Sequence, residues 1–278
     1  MTAAHIHLGP HKTGSTAFQL YLQRKEDFFK KNHISFVSQH SCLRPEYFQW
    51  RATFSKAVNR ICAGESSDQE SFDELLRCFH ALISLVGQNA GLIFSDENII
   101  GRPLGHFYGR YEVSRRVEAY YPAFKVIIAA FRSALSQGCD QVFFYLVKRD
   151  WPSLVKSLYK DFFRKYYHLG CASEDDFLTF LGDCGARQTY DSFWGEVSEL
   201  SGVMVVPYSL SSAQLLLESI DANLRLSFAP LSGEMPRKCN ISLDDEIINK
   251  MIDLYPFLAR NRERYSDEEF YRLVKLLS

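Results

Sequence analysis

The sequence predicts an α/β fold: a central parallel sheet flanked by helices, with a mostly helical C-terminal extension. Three observations carry that expectation. Short apolar runs recur at Ala3–Leu8, Ile34–Val37, Gly91–Ser95, Lys125–Phe131 and Val203–Pro207, each of a length suited to a buried strand. Segments with helical spacing separate these runs. A strand, a glycine-bounded loop and a helix start also follow one another between His5 and Gln19. Strands that alternate with helices pair in parallel, because each crossover helix returns the chain to the same end of the sheet.

Each element has its own pattern. Ala3–Leu8 is apolar save for His5 and His7, and the stretch beyond it holds Gly9 and Gly14. Ile34–Val37 is a second short apolar run. Phe72, Leu75, Leu76, Phe79, Ile83 and Val86 repeat at the spacing of one helix face and lead into the strand Gly91–Ser95. Lys125–Phe131 reads as the next strand, ending at Arg132, and Ser133–Lys148 as the helix directly after it. Beyond Asp150 the pattern is mostly helical, with a lone strand at Val203–Pro207 and terminal helices at Leu243–Arg260 and Asp267–Leu277. No repeat, low-complexity tract or linker interrupts the chain, so residues 1–278 are expected to form one domain. Its core strands and site fall within about 1–150 and 187–210, and its helical extension within about 151–186 and 211–278.

Composition excludes several classes of function. With 278 residues, 46% of them hydrophobic and 23% charged, the chain is not disordered, and it is long enough to build a full core without metal or disulfide staples. Its 32 Lys and Arg against 33 Asp and Glu leave a net charge of −1, which offers no bulk attraction for nucleic acid or an anionic membrane. The charge is unevenly spread. Residues 1–60 carry 9 positive and 3 negative charges, and residues 101–170 carry 12 and 5, so two cationic blocks are available to one anionic ligand. The seven cysteines (Cys42, Cys62, Cys78, Cys139, Cys171, Cys184 and Cys239) are odd in number and never spaced C-x-x-C, the usage of reduced thiols. No cysteine or carboxylate completes a ligand set with His5, His7 and His11, so no metal is expected. No stretch reaches the roughly 18 apolar residues of a membrane span, and Met1–Pro10 lacks a signal-peptide pattern, so a soluble cytoplasmic protein is expected. The absence of a G-x-S-x-G elbow leaves little basis for a hydrolase.

The most informative stretch runs from His5 to Gln19. Gly9 and Gly14 permit close backbone approach, Lys12 supplies a cation, and the amides near Thr13–Thr16 lie at a helix amino terminus, where the dipole favours an anion. These features describe a phosphate cradle. Compared with the triphosphate loop G-x-x-x-x-G-K-[ST], the glycines fit, but Ser15 stands where the lysine belongs and Lys12 lies two positions before the second glycine. A lysine inside the loop sits nearer the first phosphate and its substituent than the end of a triphosphate. The run Pro10-His11-Lys12-Thr13-Gly14-Ser15-Thr16 resembles the 5′-phosphosulfate loop of P-loop-like sulfotransferases of the bacterial type, which use 3′-phosphoadenosine 5′-phosphosulfate (PAPS).

That resemblance implies roles for residues elsewhere. Ligands of such sheets bind outside the carboxyl ends of the strands. Ser95-Asp96-Glu97 resembles the family's S-S-E strand end, which makes Glu97 the expected base for the acceptor, with Asp96 in the place of a serine. Arg132 resembles the arginine that grips the donor's 3′-phosphate from a strand end, with a serine about two helical turns later. At that serine position stand Asp140 or Gln141, so either the Asp140 side chain turns away or other groups complete the site, the candidates being Ser136 on the Arg132 helix face and Arg237 with Lys238 in a late basic loop. The implied activity is transfer of a sulfuryl group from PAPS, the donor co-substrate, to a hydroxyl or amine of a small-molecule or glycan acceptor. Lys12 would stabilise the leaving oxygen and Glu97 would take the proton, without a metal. Two alternatives stay open: a P-loop kinase, with Asp96 helping to hold Mg²⁺, and a catalytically silent nucleotide-binding protein, which the Asp140 substitution keeps in view.

Overall fold

A computed structural model describes residues 3–9, 15–39, 41, 44–62, 64–87, 89–97, 99–100, 121, 123–167, 171–183, 185–209, 212–224, 245–264, 266 and 269. In chain order the elements are β1 (Ala3–His7), α1 (Ser15–Gln23), α2 (Glu26–Lys31), β2 (Ile34–Ser38), α3 (Arg44–Cys62), α4 (Asp68–Val86), β3 (Gly91–Ser95), α5 (Phe124–Ser136), β4 (Gln141–Lys148), α6 (Trp151–Tyr167), α7 (Glu174–Asp183), α8 (Ala186–Glu199), β5 (Val203–Pro207), α9 (Ser212–Leu224) and α10 (Asp245–Arg260). The strands form one sheet in the order β2-β3-β1-β4-β5. Every pairing is parallel, with His7 level with Ser95 on one side and with Tyr145 on the other.

The chain divides into two compact units: residues 1–149 with 188–239, and residues 150–187 with 240–278. The first holds the whole sheet. One sheet face packs on α1, α2 and α9 through Phe18, Tyr21, Leu22, Phe29, Leu216, Leu217 and Ile220, which meet Phe36, Ile93, Tyr145, Val147 and Val206. The other face is an aromatic layer: Phe94 of β3 and Phe144 of β4 meet Phe131 of α5, which stacks on Phe79 of α4 at 4.1 Å between ring centres. Within the second unit α6 packs with α7 and α10, and Tyr159 lies 5.8 Å from Phe177 between ring centres. Segment 212–224, read from sequence as part of the helical extension, is α9 and belongs to the sheet unit, because its buried Leu216, Leu217 and Ile220 close the α1 face.

Two expected elements exchange places. Phe124–Ser136 is a helix, not the strand Lys125–Phe131, and Gln141–Lys148 is a strand inside the expected helix Ser133–Lys148. Burial gives the reason. Phe124, Ile127, Ile128, Phe131, Ala134 and Leu135 are buried at helical spacing while Lys125 and Ala129, four apart, face solvent. Gln141–Lys148 is rich in β-branched and aromatic residues, which fit a pleated buried surface.

Candidate functional site

Because the five strands are parallel, the residues that follow β1, β3, β4 and β5 emerge at one edge of the sheet: Leu8 and Gly9, Asp96 and Glu97, Arg149, and Tyr208. From β1 the chain passes to β2 on one side, and from β3 it returns past β1 to β4 on the other. This reversal places the crevice of a doubly wound sheet at the carboxyl end of β1. Of the expected anion loop, Pro10, His11, Lys12, Thr13 and Gly14 lie outside the described residues. The elements that bound it are described: β1 ends at His7, and Ser15 and Thr16 open α1, whose first amides have no partner within the helix.

At the end of β3 the two carboxylates separate in role. Asp96 is fully buried; its carboxylate accepts a hydrogen bond from the Tyr47 hydroxyl and pairs with Arg51 Nε at 3.2 Å, both partners coming from α3. Burial, followed by the Asp96 charge and the hydrogen bond to it, raises the Tyr47 hydroxyl well above its ordinary pKa, so Tyr47 stays a donor at neutral pH. Asp96 is thus an anchor of α3 against the strand end. Glu97 follows it in a turn and is half-buried.

A second polar group lies on the opposite, α1 face. His7 Nδ1 and Ser95 Oγ are 2.9 Å apart, Gln19 Nε2 donates to the Ser95 carbonyl at 3.1 Å, and Gln39 Nε2 donates to Gln19 Oε1 at 3.3 Å. His5 Nδ1 meets the Tyr145 hydroxyl at 2.9 Å, and its ring stacks on Phe143. Burial lowers both His5 and His7 to about 4, so both are neutral at pH 7, and neither Nε2 has a hydrogen-bond partner among the described residues.

Ser136 shares a helix with Arg132 as expected, but Arg132 does not stand at a strand end. Both lie in the last part of α5, and Arg132 Nη2 donates to the Ser201 carbonyl at 2.5 Å, with its guanidinium 5.4 Å from the centre of the Phe144 ring. Ser201 precedes β5, so this arginine lies at the amino-terminal edge of the sheet, opposite the strand ends that flank the loop. The Ser136 hydroxyl donates to the Ser133 carbonyl at 2.8 Å, a bond within its own helix. Asp140 precedes β4 at the same amino-terminal edge. Arg237 and Lys238 lie outside the described residues.

The residue at the end of β4 is Arg149, which the sequence reading passed over. Its guanidinium lies 4.5 Å from the centre of the Tyr208 ring, its carbonyl accepts from the Tyr190 hydroxyl, and the Tyr208 amide donates to the Lys148 carbonyl at 2.7 Å. Arg149 stands four residues past the level of His7 and Ser95, roughly 13 Å further along the strand direction. Two sequence signals mark it: the aromatic and β-branched run before it, and Asp150 after it, whose Oδ1 accepts from the Ser153 amide at 3.0 Å in the manner of a helix cap.

Among the described residues no group of three His, Cys, Asp or Glu side chains is placed to hold a metal, and no helix is long and apolar enough to cross a membrane. Cys78 and Cys139 are free thiols. No protein-family model matches the chain, and neither the curated proteins nor the solved structures searched contain a match.

Proposed function

We propose that the protein transfers a sulfuryl group from PAPS to a hydroxyl or amine of a small-molecule or glycan acceptor. The observation that carries the proposal is the pairing of the sequence Pro10–Thr16 with its position: a lysine-bearing, glycine-bounded loop between the central strand β1 and α1, at the crevice of a parallel sheet. The donor bears phosphoryl groups at two ends of its ribose and needs two cationic sites. Lys12 serves the sulfated end, and Arg149, on the carboxyl edge, replaces Arg132 as the partner of the 3′-phosphate. Glu97, at the end of β3, takes the proton of the attacking acceptor.

The acceptor oxygen or nitrogen forms the new bond to sulfur, the bond from sulfur to the 5′-phosphate oxygen breaks, and the electron pair stays on that oxygen beside Lys12. A positioned cation at a developing oxyanion is worth about 10²–10³ in rate. Two features favour this activity over the alternatives. The carboxylate of Asp96 is engaged by Tyr47 and Arg51, which leaves the Mg²⁺-holding role of a P-loop kinase without its expected residue. Asp140, which suggested a silent protein, lies at the edge away from the loop and carries no weight against the donor.

Transfer from labelled PAPS onto a panel of glycans, phenols and amines tests the proposal. Lys12→Ala is expected to abolish labelling, and Glu97→Gln to lower turnover while 3′,5′-ADP still binds. Normal turnover in the Lys12 variant would end the mechanism as written.

A further inference from the structure

Gln19 is fully buried on α1, one turn beyond Ser15, between the apolar positions Phe18 and Leu22. A leucine or methionine would serve packing there, whereas a buried amide must be matched atom by atom. It is matched. Its nitrogen donates to the last carbonyl of β3, that of Ser95, and its oxygen accepts from Gln39 at the end of β2. The backbone adds a third tie, from the Asp96 amide to the His7 carbonyl at 3.2 Å. The turn that carries Glu97 is therefore fastened to α1 by a side chain and to β1 by the backbone, and these are the two elements that bound the loop.

We infer that Gln19 is a positioning residue that couples the amino end of α1 to the Ser95–Glu97 strand end, so that an anion seated at the start of α1 also fixes Glu97. The inference deepens the proposed function and rests on it for the identity of the anion. Its physical basis is the Gln19 to Ser95 bond, which joins two segments 76 residues apart and has little access to substitute water.

Amide hydrogen exchange read by mass spectrometry tests the coupling, with 3′,5′-ADP as the probe. In the free protein, Gln19→Met is expected to speed exchange at Asp96, Glu97, Ile99 and Ile100 by about 10-fold, with β4 unchanged as the control for folding. In the wild-type protein 3′,5′-ADP is expected to slow exchange both at the start of α1 and at Asp96–Ile100; in Gln19→Met it slows only the first. Unchanged exchange at Asp96–Ile100 in the free variant, or protection transmitted equally in both proteins, overturns the inference. If 3′,5′-ADP protects nothing in the wild type, the donor proposal fails, and the free-protein exchange alone decides the coupling. Gln39→Ala, at a half-buried position, provides the second variant: it is expected to move exchange at Asp96–Ile100 in the same direction by a smaller factor, and no change there counts against the network.

Discussion

His5 and His7 give the fold a pH dependence that follows from their burial alone. Each titrates at about 4 in the folded chain against an ordinary value of 6.5. Between those values the unfolded chain takes up protons that the folded chain refuses, so stability is full above about pH 6.5 and is lost as the pH falls toward 4. The loss is on the order of 3 kcal/mol for each ring. Denaturant midpoints measured across that window are expected to fall with pH, and His7→Gln to remove about half of the slope; a flat profile in the wild-type protein would contradict the burial. The neighbouring carboxylates differ in the same physical terms. Asp96→Ala strips the partners from a buried hydroxyl and a guanidinium and is expected to cost about 2–4 kcal/mol in a chemical melt. Glu97→Gln is expected to stay within about 0.5 kcal/mol of wild type and to act on turnover instead. Equal losses of stability would erase the distinction between anchor and base.

At the scale of elements, the exchange of strand and helix around residues 124–148 decides which arginine stands at the carboxyl edge of the sheet. Arg132 belongs to the close of α5 and to the Ser201 carbonyl; Arg149 belongs to the end of β4. Arg149→Ala is therefore expected to weaken binding of 3′,5′-ADP about 10-fold or more while changing AMP binding little, since a charge-assisted contact to the 3′-phosphate is lost. Arg132→Ala is expected to lower stability and leave both nucleotides unaffected. The opposite pattern in equilibrium binding would restore the sequence assignment. Arg132 lies on a helix and not at a strand end for a reason visible in the residues. The run Val126-Ile-Ile-Ala-Ala-Phe131 is continuously apolar, and such a run does not separate a buried strand from a buried helix; only Lys125 and Ala129, placed four apart on the solvent side, reveal the helical period. By contrast β1, β2, β3 and β5 were legible as short apolar runs, and the helix face of α4 at its spacing of three and four. The polar network of Gln19, Gln39, His7 and Ser95 was not legible, because its members come from four elements and meet only when the sheet order is known.

For the whole molecule, net charge says little and topology says much. A chain of net charge −1 attracts no polyanion in bulk, yet its parallel strands bring Gly9, Glu97 and Arg149 out at one edge. On the proposed function, the ligand is a nucleotide with two separated phosphates and not a triphosphate held through Mg²⁺. Calorimetric titration of the intact protein with 3′,5′-ADP in the presence of a metal chelator, beside the same titration with MgATP and with Lys12→Ala, tests that claim most directly. Saturable binding of 3′,5′-ADP without metal, weaker or absent binding of MgATP, and loss of the 3′,5′-ADP signal in Lys12→Ala are the predicted results. Binding of MgATP alone, or 3′,5′-ADP binding that is indifferent to Lys12, would contradict the account.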